Sequence, residues 1–158
     1  MSTLAREIKK RDPFESPEQE AMLNLVRTAA RVGAAFEPLF RAQGLCGAHY
    51  NVLRILAGEK SGGVDGLPVL EVRDRLITPV PDITRLVDKL VRQKLVRRER
   101  TEKDRRVVLL RITDRGQKLV DRLRAPVREV HLRQLGHMNR AELATLTRLL
   151  EKARSAPG

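Results

Sequence analysis

Hydrophobic positions in this chain recur mostly at helical spacing. Met22, Leu25, Val26, Ala29, Val32, Phe36, Leu39 and Phe40 share one helical face, which predicts a long amphipathic helix over 17–43. Ser16-Pro17-Glu18-Gln19 marks its start: serine caps, proline suits the first helical position, and glutamine three residues on closes a capping box. Pro38 is expected to kink the last turns and Gly44 to end the helix. A second helix is expected over 47–57, with Val52, Leu53 and Leu56 inward and Gly58 behind it, then a loop over 60–66. Two shorter helices follow, over 68–76 (Val69, Val72, Leu76) and 81–93 (Ile83, Leu86, Val87, Leu90), separated by the rigid turn Thr78-Pro79-Val80-Pro81. That is a helix-turn-helix pattern.

The period then shortens. Residues 95–101 and 107–112 have strand composition and flank the charged loop Glu102-Lys103-Asp104-Arg105-Arg106. A β-hairpin directly after a helix-turn-helix is a wing. Helical spacing returns with Thr113 as a cap and Leu119, Leu123, Val127 and Val130 inward over 114–135, with a kink expected at Pro126. Asn139-Arg140-Ala141-Glu142 forms another capping box and opens a terminal helix carrying Leu143, Leu146, Leu149 and Leu150. The fold class expected is mainly α with a small β-hairpin. Residues 1–15 have no clean period and read as a flexible basic arm. Residues 16–158 read as a single domain with a central core at 46–113. Its flanking helices, at 16–45 and 114–153, have apolar faces long enough to bury against each other or a second subunit.

Charge turns this architecture toward a partner. The 158 residues carry 32 Lys and Arg against 20 Asp and Glu, a net +12. Such a surface favours a polyanion, nucleic acid before membrane. Aromatics are 3%, too few to stack the bases of a single strand, so double-stranded DNA is expected. Ten cationic and five anionic side chains fall within residues 82–106. With Ile83, Leu86, Val87 and Leu90 inward, the helix over 81–93 turns Pro81, Asp82, Arg85, Lys89 and Arg92 outward, with Thr84 beside them. Arg85 suits two hydrogen bonds to guanine, and Thr84 suits a thymine methyl or a phosphate. The wing tip suits a narrow A·T-rich minor groove, whose negative potential favours an inserted arginine.

The ordered set Ile83-Thr84-Arg85-Leu86-Val87-Asp88-Lys89-Leu90, Leu95-Val96-Arg97-Arg98, Asp104-Arg105-Arg106 and Ile112-Thr113-Asp114-Arg115-Gly116 resembles the MarR (multiple-antibiotic-resistance regulator) family of bacterial transcription factors. Tyr50-Asn51-Val52-Leu53-Arg54-Ile55-Leu56 also resembles that family's second helix, and the likeness covers roughly residues 16–153. It implies a winged helix-turn-helix whose terminal helices build a homodimer. It further implies a regulator, most often a repressor, that sets two recognition helices in successive major grooves of a pseudo-palindrome. In that likeness Arg106 enters the minor groove, Asp104 orients it, and Lys103 and Arg105 face phosphate. Small phenolic or other lipophilic effectors relieve binding in relatives, and Cys46, His49 and Tyr50 are the candidate lining of such a site here. One departure is Lys94, where the family usually has glycine. If the backbone is left-handed there, a side chain costs about 1 kcal/mol.

Other chemistry is weaker. Cys46 near a helix start, beside His49, suits a thiol redox switch, an alternative function; the plainer reading is a small buried residue. His49, His131 and His137 with Cys46 lack the spacing that sets two histidines on one helical face, so no metal is expected. Neither a Gly-rich phosphate loop nor a nucleophile elbow is present, and no enzyme activity or cofactor is expected. One cysteine excludes an intramolecular disulfide, no uncharged run reaches membrane-spanning length, and the N-terminal charges do not suit a signal peptide, so a cytoplasmic protein is expected. A low-specificity architectural DNA-binder is the remaining alternative.

Overall fold

The computed structural model describes residues 2–100 and 107–155. Contacts divide the chain into two compact units, residues 1–38 and 39–158. In the first, α1 (Thr3–Glu7) and α2 (Pro17–Ala34) are joined by an ion pair, Arg27 Nε to Glu7 Oε2 at 2.6 Å. The first fifteen residues, expected as a flexible basic arm, contain a short helix. Ser2 Oγ accepts from the Ala5 amide, and Leu4 and Ala5 are buried. A single capped turn is too short for a hydrophobic period to reveal it. The Ser16 capping bond of α2 forms as expected, to the Gln19 amide at 3.2 Å. None of the residues of α2 is buried, and Met22 and Val26 are about 60% exposed.

The helix expected over 17–43 is two helices. α2 stops at Ala34 and α3 (Glu37–Arg41) begins after a break, with Pro38 in its first turn. Proline there loses only an amide that has no intrahelical partner anyway, so it opens α3 rather than kinking a longer helix. Next, α4 (Gly47–Ser61) runs on through Gly58 instead of ending before it.

α4 is the spine of the second unit. Its Val52, Leu53 and Leu56 lie in a core shared with Val72, Val87, Leu90, Val96, Leu110, Val120 and Leu123, all 4% exposed or less. Val72 comes from α5 (Val69–Asp74), and Val87 and Leu90 from α6 (Ile83–Arg92). Beyond them a three-stranded antiparallel sheet has the order β1-β3-β2, from β1 (Leu67–Pro68), β2 (Val96–Arg100) and β3 (Val108–Ile112). The hairpin register pairs Val96 with Ile112 and Arg100 with Val108. β1 lies in the stretch next to the expected loop. Two residues pair there because β3 offers its other edge, Leu67 opposite Leu110 and Pro68 opposite Leu109. α7 (Asp114–Leu135) contains Pro126, and α8 (Arg140–Arg154) opens on the full capping box, Asn139 with Glu142. No residue of α8 is buried.

Among the described residues, four helices end in the same turn. The amide of the second residue past the helix cap returns to a carbonyl five residues back, and the preceding amide to one three back. This happens at Lys9, Gly44, Gly63 and Lys94, each with φ between +54° and +87°. At the end of α6 the bonds are Leu95 to Leu90 and Lys94 to Val91, both 2.9 Å. Leu90 and Leu95 are both buried there, the apolar contact that accompanies such a turn. Lys94 does occupy a left-handed backbone, φ +58°, so the residue that departs from the usual glycine stands where glycine would be easiest.

Candidate nucleic-acid interface

α6 owes its amphipathic form to Ile83, Val87 and Leu90, which are buried, and its start to Asp82, whose carboxylate accepts from the Arg85 amide at 3.0 Å. Three other elements fix its position. Asn51 of α4 accepts from the Ile77 amide at 2.8 Å, which pins the turn between α5 and α6. Thr113 donates through Oγ1 to the Lys94 carbonyl at 2.8 Å, while its amide bonds the Leu95 carbonyl at 3.0 Å. The same Oγ1 accepts from the Gly116 amide as the cap of α7. Gly116 is obligatory for this join, because a Cβ there would lie 2.2 Å from the Leu95 carbonyl oxygen. The end of α6, the root of the β2–β3 hairpin and the start of α7 thus form one knot.

Of the expected contact residues, Pro81, Asp82, Thr84 and Arg85 are exposed on one end of α6. Asp82 also serves as the helix cap, which holds the first turn of α6 in place. Lys89 is half-buried rather than fully outward, and its charge lies near His49 of α4. Arg92, Arg97 and Arg100 are exposed to solvent. Lys103, Asp104, Arg105 and Arg106 lie outside the described residues.

Sequence reasoning missed two residues that matter to this face. Arg98 of β2 donates to Asp88 Oδ1 of α6 at 2.6 Å and approaches the Thr84 carbonyl at 3.4 Å. Ten residues separate Arg98 from Asp88, and no local period signals the pair. Beside it a cleft of about 690 Å³ is lined by Pro68, Leu70, Thr84, Arg98, Glu99 and Val108, among others.

Of Cys46, His49 and Tyr50, the first two come together, while the Tyr50 ring packs on Phe40. Cys46 caps α4 and is exposed, not the small buried residue of the plainer reading. Its amide donates to His49 Nδ1 at 3.1 Å, and its Sγ lies 2.8 Å from the same nitrogen. An Nδ1 that accepts a backbone amide leaves the ring proton on Nε2. Burial first, and Lys89 second, hold the His49 pKa below its ordinary value, so the ring is neutral near pH 7. The Tyr50 ring stacks on Phe40 with centroids 4.8 Å apart, and its burial raises the phenol pKa. Among the described residues no three His, Cys, Asp or Glu side chains are grouped to hold a metal ion, and no helix is long and apolar enough to cross a membrane.

Residues 35–123 match the family model for the transcriptional regulator SarA/Rot. The chain is 32% identical over 104 residues to the HTH-type transcriptional regulator YpoP of Bacillus subtilis, covering 65% of this chain and 70% of that one. The crystal structure of a MarR transcription factor from Planctomyces limnophilus is 45% identical, covers 88% of this chain and 98% of that chain, and has a TM-score of 0.66. A point mutant of MarR from E. coli, solved with operator DNA, shares the fold at 20% identity and a TM-score of 0.71, covering 96% of this chain and 99% of that one. With a knotted winged helix-turn-helix at its centre and a relative so similar over nearly its full length, the chain belongs to the MarR family of winged-helix transcriptional regulators.

Proposed function

We propose that this regulator binds double-stranded DNA sequence-specifically as a homodimer, and that it is a cytoplasmic repressor released by a small lipophilic or phenolic effector. The observation that carries this reading is α6, held by Asn51 and Thr113, with Thr84 and Arg85 exposed at its N-terminal end. That end is the part of a recognition helix that reaches base edges in the major groove. The DNA-bound E. coli relative supports the same use of the fold. Arg85 is assigned to bases or nearby phosphate, and Lys89 to phosphate. From the family resemblance, Arg106 enters the minor groove with Asp104 orienting it, and Lys103 and Arg105 meet phosphate.

Homodimerisation accounts for α2 and α8, whose sequences place apolar residues on one face although none of them is buried. We assign residues 16–45 and 114–153 to that role, with 46–113 as the reading core. The effector is assigned to the cleft beside Thr84 and Arg98, whose apolar walls at Pro68, Leu70 and Val108 suit a small lipophilic molecule. This moves it away from His49 and Tyr50, which are buried, the latter against Phe40.

The test is selection of bound sequences from a random DNA pool, followed by a salt titration on the selected operator. A pseudo-palindromic consensus is expected, with affinity falling at a log–log slope of about −0.9 per neutralised phosphate. Binding with no sequence preference would support the architectural alternative, and a flat salt response would refute the assignment of the basic face. A second reading, a thiol switch, is favoured by the exposed Cys46 with an imidazole nitrogen 2.8 Å from its sulfur. It requires that peroxide release the operator and that Cys46→Ser abolish the release.

A further inference from the structure

We propose that Arg98 and Asp88 are positioning residues, a strut that sets the angle between the wing and the recognition helix without touching DNA. The inference rests on the DNA-binding reading above. β2 leaves the core abruptly: Val96 is buried, and Arg97 to Arg100 are all exposed. Below Val96 the wing is anchored by backbone, through the Leu95–Leu90 and Thr113–Leu95 bonds. Above it, among the described residues, Arg98 makes the hydrogen bonds that return from β2 to α6. Its guanidinium spans one full helical turn there, from the Thr84 carbonyl to the Asp88 carboxylate. A planar fork meeting two acceptors that a helix holds one turn apart resists both sliding and rotation of the strand. The strand from Arg97 to Arg100 is oriented against α6 at this point.

The pair also answers a question of charge. Asp88 lies on the recognition helix, where a carboxylate beside phosphates repels. The strut gives it a reason to be there, and it occupies an arginine that would otherwise go to phosphate. At 34% and 42% side-chain exposure the ion pair itself adds little to stability. Its effect is therefore expected in geometry, and removing it leaves the fold in place.

The experiment measures operator affinity against salt for the full-length protein and for Arg98→Gln, Asp88→Asn, the double variant and the charge swap Asp88→Arg with Arg98→Asp. Each single variant is expected to bind about three- to thirtyfold more weakly, within the range for directly coupled groups. The double is expected to be no worse than either single, and the swap to recover most of the loss. The decisive readout is the salt slope. A strut leaves it unchanged in Arg98→Gln, whereas a phosphate contact would reduce its magnitude by about 0.9 per half-site. Tighter binding by Asp88→Asn, or a reduced slope in Arg98→Gln, overturns the proposal. Wild-type protein that fails to select an operator would instead refute the DNA-binding reading itself, so the two failures are distinct. Thermal unfolding of each variant separates lost binding from lost fold.

Discussion

Replacing Lys94 by glycine should stabilise this protein, and the comparison that shows it is with Lys94→Ala. Both variants remove the same charge and the same long side chain, so they differ only in a Cβ. With φ at +58°, that Cβ crowds the following carbonyl. The left-handed backbone costs about 1–2 kcal/mol for a residue that has one. Against this, glycine gains about 0.4–1 kcal/mol of conformational freedom in the unfolded chain, which opposes folding. The net expectation is that the glycine variant is more stable than the alanine variant by about 0.7 kcal/mol. At an m-value of about 2 kcal/mol/M this moves the urea midpoint by about 0.35 M. Circular dichroism through urea unfolding reads this directly, with protein concentration held fixed because association would shift the curve. Gly63 supplies the mirror experiment. Its φ is +87° and an added Cβ meets nothing within 4 Å, so Gly63→Ala tests backbone strain without a clash. It should lose about as much as separates the two variants at Lys94. An alanine at that position as stable as the glycine would refute the assignment of strain to this turn.

Four further outcomes follow from the same contacts. Gly116→Ala should lose at least about 2 kcal/mol or fail to fold, measured by the same unfolding curve, because its Cβ would lie 2.2 Å from the Leu95 carbonyl oxygen. Asn139→Ala should cost about 1 kcal/mol through loss of its bond to the Glu142 amide, with helix α8 fraying first in hydrogen exchange. His49 should make folding acid-sensitive: its folded pKa is lowered below the ordinary 6.5, so the unfolded chain takes the proton first and stability falls as pH drops from about 7 through that window. In His49→Gln the wild-type loss over this window should shrink, read as the difference in urea midpoints. Leu146→Glu or Leu150→Glu should bury charge in the proposed interface and shift the mass in solution scattering from dimer to the 17.9 kDa chain; a wild type that is already monomeric at micromolar concentration sinks the dimer.

Much of this fold was legible because its signals are local. Ser16, Thr113 and Asn139 each cap the helix they announce, and the stripe Ile83-Val87-Leu90 faces the core as its spacing requires. What stayed hidden depends on partners distant in sequence. β1 exists because β3 has a free edge, which no period in Leu67-Pro68 can reveal. The break between α2 and α3 is masked because the apolar spacing at Val32, Phe36, Leu39 and Phe40 continues across it. On the reading face, Thr84 and Arg85 were visible as residues left outside an apolar stripe. The capping bond of Asp82 could not be told from exposure alone, and Arg98 was missed because its bond to Asp88 crosses from a strand to a helix.

The knot at Thr113 and Gly116 leaves no slack between the reading head and the long helix behind it. α6 ends, three residues lead into the wing, and α7 begins against the carbonyl of the last of them, Leu95. At 1.5 Å per residue the 22 residues of α7, Pro126 among them, span about 33 Å. In a dimer of the proposed plan, each such joint carries the symmetry of the pair directly to the groove. One base pair inserted between half-sites rotates one target by about 34° around the duplex, and a stiff caliper cannot follow it. Such a protein measures the distance between half-sites as strictly as it reads their letters. A lineage that needed a different spacing would have to change α7 itself, because the joint at Thr113 and Gly116 is held by bonds on both sides.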